Sequence, residues 1–554
     1  MRGRQVLMQS LVAHGVDSIF GNPGTTESPL IDSLAEFPQL AYYVALHEGV
    51  ALGAASYYAQ ASGKPAMVNL HVAPGLGNAI GMLYSAMKAN SPLLVTAGQQ
   101  DTRMRLRAPV LSHDLVAMAA PVCKWSVQVE RADEFAPILA RALKLAQDPP
   151  SGPVFVGLPI DVMEQETEVA PAPPSPLHRA GAADARGIEQ LAGLLLASER
   201  PAVVAGDDVA RAGAGEALLR LVERTGAAVW WEGLRARASF PTGHANARGA
   251  LPFDAAAIAK ALGDADCVLL LGGPFFEEVW FTPGSPFPPG VKVAQIEEAP
   301  ERLAGNFPLA VGLAGSLAGT LAGVAGAIER RADARYRAAA ARRNAAHRLA
   351  SEAEAAAQTA RLQKNWDRQP MSMARAMAEI RAGAPADAIV VEEAITASAD
   401  LAKTFRFDTP DSYFSGRGGG IGQGLAGALG IKVAHRARPV LAISGDGSAM
   451  YSIQALWTAA HHDLAIVFVV LVNREYRVLK HNLDTYRQRF ATRSNRPYAH
   501  MDLARPALDF VALAAGMGVA GTRVEKADAL AGAIARAVAS GRPHLVEVVL
   551  EAKR

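Results

Sequence analysis

Cysteine is almost absent: Cys123 and Cys267 are the only two in 554 residues. Two thiols far apart in sequence exclude a disulfide framework and a cysteine-rich zinc site, so a reducing, cytoplasmic setting is expected. Net charge is almost absent too, with 55 Lys and Arg against 53 Asp and Glu. That balance gives no basis for binding nucleic acid or an anionic membrane. Long apolar runs are also missing. The longest, "LAIVFVVLV" at 464–472, is about half the length of a membrane helix and suits a buried parallel strand. The first residues, "MRGRQVLMQSLVAHGVDSIFGNPG", carry apolar side chains at helical spacing and run into a turn and a short strand. They are not expected to form a signal peptide.

What the sequence has is α/β rhythm. Short apolar runs ended by Gly or Pro ("DSIFGNP", "AMVNLHVAPG", "PLLVTAGQ", "GPVFVGLP") alternate with helical segments such as "EGVALGAASYYAQASG". The expected fold is three α/β domains with mainly parallel sheets. The expected boundaries are 1–167, 183–328 and 370–554. A Pro- and Ala-rich linker occupies 168–182, and an Ala-, Arg- and Glu-rich helical connection 329–369. The Arg residues of that connection read as a solvated helix face rather than a nucleic-acid patch.

The stretch "RPVLAISGDGS" reads as a strand and turn, "AMYSIQALWTAAHHD" as a helix with Tyr451, Ile453, Leu456 and Trp457 on its apolar side, and "LAIVFVVLVN" as a second strand. In such a βαβ unit the two strands are parallel. Asp446 follows the first and Asn473, 27 positions later, ends the second. If the strands are neighbours, both side chains meet at the carboxyl edge, where α/β sheets bind ligands. A carboxylate and an amide oxygen suit Mg²⁺ whose other ligands are water and a phosphate group. Gly445 and Gly447 would let the backbone approach that phosphate. A glycine-rich turn with a capping Asp is the alternative. A competing signal is "GQGLAG" at 422–427, which matches the dinucleotide pattern G-x-G-x-x-G and would suggest a nicotinamide oxidoreductase.

Gly-Asp-Gly followed by Asn at this spacing resembles the cofactor motif of thiamine diphosphate enzymes. The resemblance implies that Asp446, Asn473 and the Glu475 carbonyl hold Mg²⁺, and that Ser448, Tyr476 and Thr396 contact the diphosphate. Ile421 would prop the cofactor in its bent shape, and the Gly419 carbonyl would receive the 4′-amino group. Glu48, in "YVALHEGVALGAA", would face the aminopyrimidine ring and promote its imino tautomer. On its own, an acid in a first helical turn reads first as a dipole-stabilising surface residue; it is the Asp446 motif elsewhere in the chain that reverses this.

The N-terminal stretches "FGNPGTTESPL", "ALHEGVALGAASYYAQASGKPAMVNLHVAPGLGNAIG", "SPLLVTAGQQ" and "VCKWS", with "GDGSAMYSIQALWTAA", resemble the benzoylformate decarboxylase family over nearly the whole chain. Carried over, Thr25 stands at a substrate-carboxylate serine and His71 at a proton-transferring histidine, with Asn78 behind them. The resemblance implies decarboxylation of a small-molecule 2-oxo acid to an aldehyde and CO₂. It also implies a homodimer or homotetramer in which Glu48 and Asp446 serve one site from different subunits.

Two departures stand out. The family's second histidine falls at Val279, beside Glu277 and Glu278. Its aromatic wall is replaced by "REYRVLKHNLDTY", with His481 and Asn482 in place and Arg477 and Lys480 as candidate anchors for a more polar or larger substrate. An acetolactate synthase-like carboligase or 2-hydroxyacyl lyase using the same cofactor is the alternative, and a catalytically silent homologue a more remote one. His113 is a minor candidate for proton transfer. His461 and His462 are expected at an exposed helix end.

Overall fold

The run Ile466–Val472 is a strand buried along all seven residues, as expected of a β-branched segment covered on both faces of a parallel sheet. It lies in a computed structural model that describes residues 1–177, 181–364 and 366–552. Residues 178–180 of the expected linker, 365 of the expected helical connection and 553–554 lie outside the described residues.

Three sheets carry the chain. In the first, the strands lie in the order Ala41–Val44, Ser18–Gly21, Ala66–Leu70, Leu93–Gln99, Val154–Pro159, Ser126–Gln128. In the second the order is Val311–Ala314, Lys292–Glu297, Cys267–Leu271, Pro201–Ala205, Ala228–Trp231, Ala247–Ala250. The third runs through Ile389–Glu393, Val440–Gly445, Ile466–Val472, His544–Val549 and Ala520–Val524. The pairings between these neighbours are parallel. Parallel neighbours require crossovers, which the intervening helices supply. The expected class, three α/β domains with mainly parallel sheets, is the one observed.

The chain divides into two compact units. One comprises Met1–Pro176, Asn365–Thr404 and Ser415–Arg554, and the other Leu177–Lys364 and Phe405–Phe414. Within the first, the helix Glu48–Ser62 packs on the helix Gln423–Ala434. Small residues permit the close approach. A Cβ at Gly427 would stand 2.6 Å from the Tyr57 ring, one at Gly53 2.8 Å from Ala426, and one at Gly430 would strike the Ala54 carbonyl. His462 belongs to the same contact, where its Nε2 accepts the Val44 N–H at 2.9 Å and its ring meets Tyr43 edge-on. The expectation of an exposed His462 is therefore corrected. His461 is exposed and stacks on Trp457.

In the second unit, helices Ala185–Leu196, Gly215–Thr225 and Leu317–Arg331 cover the sheet with Leu191, Leu218, Leu221, Leu321 and Val324. The long helix Ala334–Lys364 buries only Ala340, while Arg343 donates to the Thr225 carbonyl and Asn246 to Asn344. Among the described residues no helix is long and apolar enough to cross a membrane.

Candidate active site

Strands Val440–Gly445 and Ile466–Val472 are neighbours, with Gly445 opposite Leu471. Asp446 and Asn473 therefore emerge side by side at one carboxyl edge. Asp446 is 4% exposed. Its carboxylate accepts the N–H groups of Gly447 at 2.8 Å and Arg474 at 2.6 Å. Burial pushes the carboxyl above the ordinary range, and the N–H groups of Arg474, Gly447 and Asn473 pull it back. Arg474 takes a positive φ of 59°, which turns its N–H toward Asp446. Asn473 is buried, and its amide oxygen accepts the Glu475 N–H at 3.0 Å.

The two glycines around Asp446 differ. A Cβ at Gly445 would meet nothing within 4 Å, whereas one at Gly447 would stand 2.5 Å from the Tyr476 ring. Gly445 thus faces open space, and Gly447 lets Tyr476 lie against the turn. Thr396 is exposed three positions past Ile389–Glu393, the strand beside Val440–Gly445, so it shares this edge. Ser448 is half-buried in the four-residue helix Asp446–Ala449.

The expected continuous helix after Asp446 is interrupted, resuming at Ala455–His461. Tyr451, expected on its apolar side, is 62% exposed. The residues between the two pieces are held by short turns, Tyr451 N–H to Ser448 and Ser452 N–H to Ala449, and that turn carries Tyr451 out of the core.

Asp446 makes no ion pair with a cationic side chain among the described residues, and no cluster of three His, Cys, Asp or Glu side chains there could cage a metal. One buried carboxylate, an amide oxygen and main-chain groups fit a divalent cation that takes its remaining ligands from phosphate and water. The Glu475 side chain is already engaged, paired with Arg477 at 2.9 Å and with Lys480. Both cations suggested as substrate anchors are thus paired with Glu475. His481 is exposed on the helix Arg477–Arg489 and Asn482 half-buried there.

The first sheet builds a second edge. Its adjacent strands Ala41–Val44, Ser18–Gly21 and Ala66–Leu70 deliver Glu48, the Thr25–Glu27 turn and His71 to one side. Glu48 opens the helix Glu48–Ser62, is 8% exposed, and accepts from Asn78 Nδ2 at 3.1 Å. His71 Nδ1 lies 2.8 Å from Glu27 Oε2. Glu27 is 2% exposed and accepts from the N–H groups of Gly24 and Gly98 and from the Thr26 hydroxyl. Acceptance by Glu27 fixes the proton on Nδ1 and leaves Nε2 as the second ring position. Thr25, the first residue of the Thr25–Glu27 turn, is exposed. A Cβ at Gly24 would collide with the His71 ring, so that glycine makes room for the pair.

The loop before the helix Gln423–Ala434 carries Gly419 and Ile421. Gly418 and Gly419 both take φ of 75°, and a Cβ at Gly419 would meet nothing. The "GQGLAG" signal has a different meaning from the one it suggests. The helix N-terminus is filled by a protein carboxylate, because Glu393 accepts the N–H groups of Gly422 at 2.7 Å, Gln423 at 2.8 Å and Gly424 at 3.0 Å. Burial pushes the Glu393 carboxyl up to about 7 against the pull of those N–H groups. A dinucleotide phosphate would need the same donors, so the nicotinamide reading fails. The glycines serve helix packing instead.

Glu27, Thr26, Glu393 and Gln423 escaped sequence reasoning. "GTTE" reads as a helix start in which the Glu reaches back to a backbone N–H, and Glu27 does so, but nothing in that pattern announces His71. "VVEEA" ends an apolar strand in an acid, the same grammar that singled out Asp446. Val279 lies 61% exposed on a loop of the second unit, between Phe276 and Phe287, whose rings meet edge-on. His113 is exposed, and its carbonyl accepts from Gln99. Burial raises the thiols of Cys123 and Cys267 to about 12, so neither is a ready nucleophile.

Three family models match in order along the chain. They are the N-terminal TPP binding domain of thiamine pyrophosphate enzymes over residues 1–118, the central domain over 188–324 and the C-terminal TPP binding domain over 395–548. A benzoylformate decarboxylase of Pseudomonas aeruginosa is 35% identical, covering 97% of this chain and 96% of that protein. An acetolactate synthase large subunit of Mycobacterium tuberculosis is 27% identical over 100% of this chain and 96% of its own. Among solved structures, a thiamine diphosphate-dependent 4-hydroxybenzoylformate decarboxylase of Rhodococcus jostii is similar with a TM-score of 0.86 at 29% identity, covering 100% of both chains. A benzoylformate decarboxylase from Polynucleobacter necessarius gives 0.85 at 26% identity, covering 100% of this chain and 99% of its own. The chain belongs to the thiamine pyrophosphate enzyme family and is a thiamine pyrophosphate-dependent enzyme.

Proposed function

We propose that this enzyme decarboxylates a 2-oxo acid non-oxidatively, giving an aldehyde and CO₂, with thiamine diphosphate and Mg²⁺. The observation that carries the reading is the Glu27–His71 pair on the same sheet edge as Glu48. A histidine held in one tautomer beside the pyrimidine-facing acid is equipped to protonate a product carbon, the step that separates decarboxylation from ligation. The decarboxylases among the relatives support it.

In this reading Asp446, Asn473 and the Glu475 carbonyl hold the metal. Gly445, Gly447, Ser448, Tyr476 and Thr396 meet the diphosphate, and Gly419 and Ile421 the aminopyrimidine ring. When bound, the cofactor supplies the electron sink into which the bonding pair passes as CO₂ leaves. Glu48 exchanges a proton at its carboxylate with a ring nitrogen, and Asn78 holds that carboxylate through Oε2. The Thr25 hydroxyl orients the substrate carboxylate. His71 moves a proton at Nε2, because Glu27 occupies Nδ1. The site is completed by a second copy of the chain, so the enzyme is at least a homodimer.

Carboligation to a second carbonyl compound is the alternative. Val279, at the position of the family's second histidine, offers no proton, and slower protonation leaves time for ligation. Incubation with a panel of 2-oxo acids, thiamine diphosphate and Mg²⁺ decides between them, following CO₂, aldehyde and ligated products. Aldehyde in step with CO₂ supports the decarboxylase, ligated product in its place supports the alternative, and no CO₂ from any acid overturns the decarboxylase.

A further inference from the structure

The loop 416–421 lacks regular structure, yet two buried polar side chains hold both of its ends. Glu393 holds the downstream end through the three N–H groups of Gly422, Gln423 and Gly424. Gln423 holds the loop itself. Its Nε2 donates to the carbonyls of Arg417 at 3.0 Å and Gly420 at 2.6 Å, and its Oε1 accepts the Arg417 N–H at 3.3 Å. Both side chains are nearly inaccessible. Both pack tightly against glycines, since a Cβ at Gly424 would stand 2.7 Å from Glu393 Cβ and one at Gly416 2.9 Å from Gln423 Nε2. The outer face of the loop rests on the helix Val72–Lys88, where a Cβ at Gly418 would lie 3.0 Å from Lys88.

Gly419, between these anchors, has open space around it. Three glycines of this segment, Gly418, Gly419 and Gly422, take positive φ. Such backbone is conformationally free in isolation, and an order imposed from outside is needed to present one carbonyl in one direction. A carboxylate at a helix N-terminus supplies charge-assisted bonds, which are stronger than neutral ones.

We propose that Glu393 and Gln423 are positioning residues that clamp the 416–422 loop so that the Gly419 carbonyl and the Ile421 side chain are preset for the cofactor's aminopyrimidine ring. The clamp rests on the role given to Gly419 and Ile421 above. Neither side chain touches the reacting atoms. They act by removing the loop's freedom before the cofactor arrives, so that its ordering is not charged against binding.

Hydrogen exchange at pH 8 on the cofactor-free protein, with calorimetric titration of thiamine diphosphate in the presence of Mg²⁺, tests the clamp. Glu393→Gln places an amide NH₂ against backbone N–H donors. Peptides spanning 416–424 should exchange faster by about ten-fold or more, and the cofactor dissociation constant should rise by about ten-fold. Peptides from Ala66–Leu70 and Val440–Gly445 should be unchanged, and Glu393→Asp should restore part of both effects. If Glu393→Gln does not fold, Gln423→Leu carries the test, with the same loosening expected over 416–421. Unchanged exchange in the loop, or an even rise across the whole chain, overturns the clamp. A loosened loop with unaltered cofactor affinity overturns the role given to Gly419 and Ile421 instead.

Discussion

His71 and Glu27 are 44 positions apart in sequence, and His71 Nδ1 lies 2.8 Å from Glu27 Oε2. The contact exists because Ser18–Gly21 and Ala66–Leu70 are adjacent parallel strands, so the turns that follow them share one edge. Glu27 accepts from four groups, which leaves it little freedom to do anything but hold the ring.

Glu27→Gln should therefore act on turnover more than on substrate binding. The variant should lose about ten- to a hundred-fold in kcat, with KM changed by less than about three-fold. Steady-state kinetics on the responding 2-oxo acid would measure the split. A rise in KM with kcat intact would place Glu27 in binding instead.

His462 gives a pH dependence of stability. Burial lowers its pKa below the ordinary histidine value, with the nearby His461 charge acting in the same direction. Its unprotonated Nε2 is the acceptor for Val44 N–H. A histidine with a lowered folded pKa releases its proton more readily folded than unfolded, so its contribution is present above about pH 6.5 and is lost as pH falls. Urea melts of the wild type and His462→Gln between pH 8 and 5 should converge toward the acid end. A difference that grows on acidification would contradict this.

The packing of Glu48–Ser62 on Gln423–Ala434 depends on missing side chains. Gly430→Ala should destabilise by about 1–3 kcal/mol, because the new methyl meets the Ala54 carbonyl, which is backbone and cannot rotate away. Gly516→Ala, where a Cβ meets nothing, should be neutral. Denaturant melts of the two variants provide the comparison, and equal midpoints would refute the packing reading of these glycines.

If Glu48 and Asp446 serve one site from different subunits, two inactive variants should rescue each other. Glu48→Gln mixed with Asp446→Ala and allowed to exchange subunits should recover up to about a quarter of wild-type activity, since each mixed dimer has one intact site. No recovery, with subunit exchange demonstrated, would mean that one chain supplies both groups.

Much of the fold was legible because its strands are short β-branched runs ended by Gly or Pro, and because Asp446, Asn473, Glu48 and His71 each sit where a strand ends. Partners contributed by another strand were not legible. Glu27 looks like a residue that starts a helix, and only the strand order reveals that it faces His71. "GQGLAG" was a competing signal because small residues at that spacing suit a phosphate and a helix crossing equally well. What decides between them is Glu393, 29 positions before Gly422. His462 and Tyr451 departed from expectation in opposite directions. A helix end became part of the packing between two sheets, and a turn lifted an aromatic ring out of the core.

Replacing Glu48 by Gln, with cofactor binding and CO₂ release followed on the same sample, is the sharpest test of the chemistry proposed. Thiamine diphosphate should bind within about two-fold of wild type, because the amide keeps the shape and the Asn78 contact, while CO₂ release should fall by about a hundred-fold or more. CO₂ release at the wild-type rate from the fully loaded variant would contradict the assignment of Glu48 as the acid that exchanges a proton with the cofactor ring.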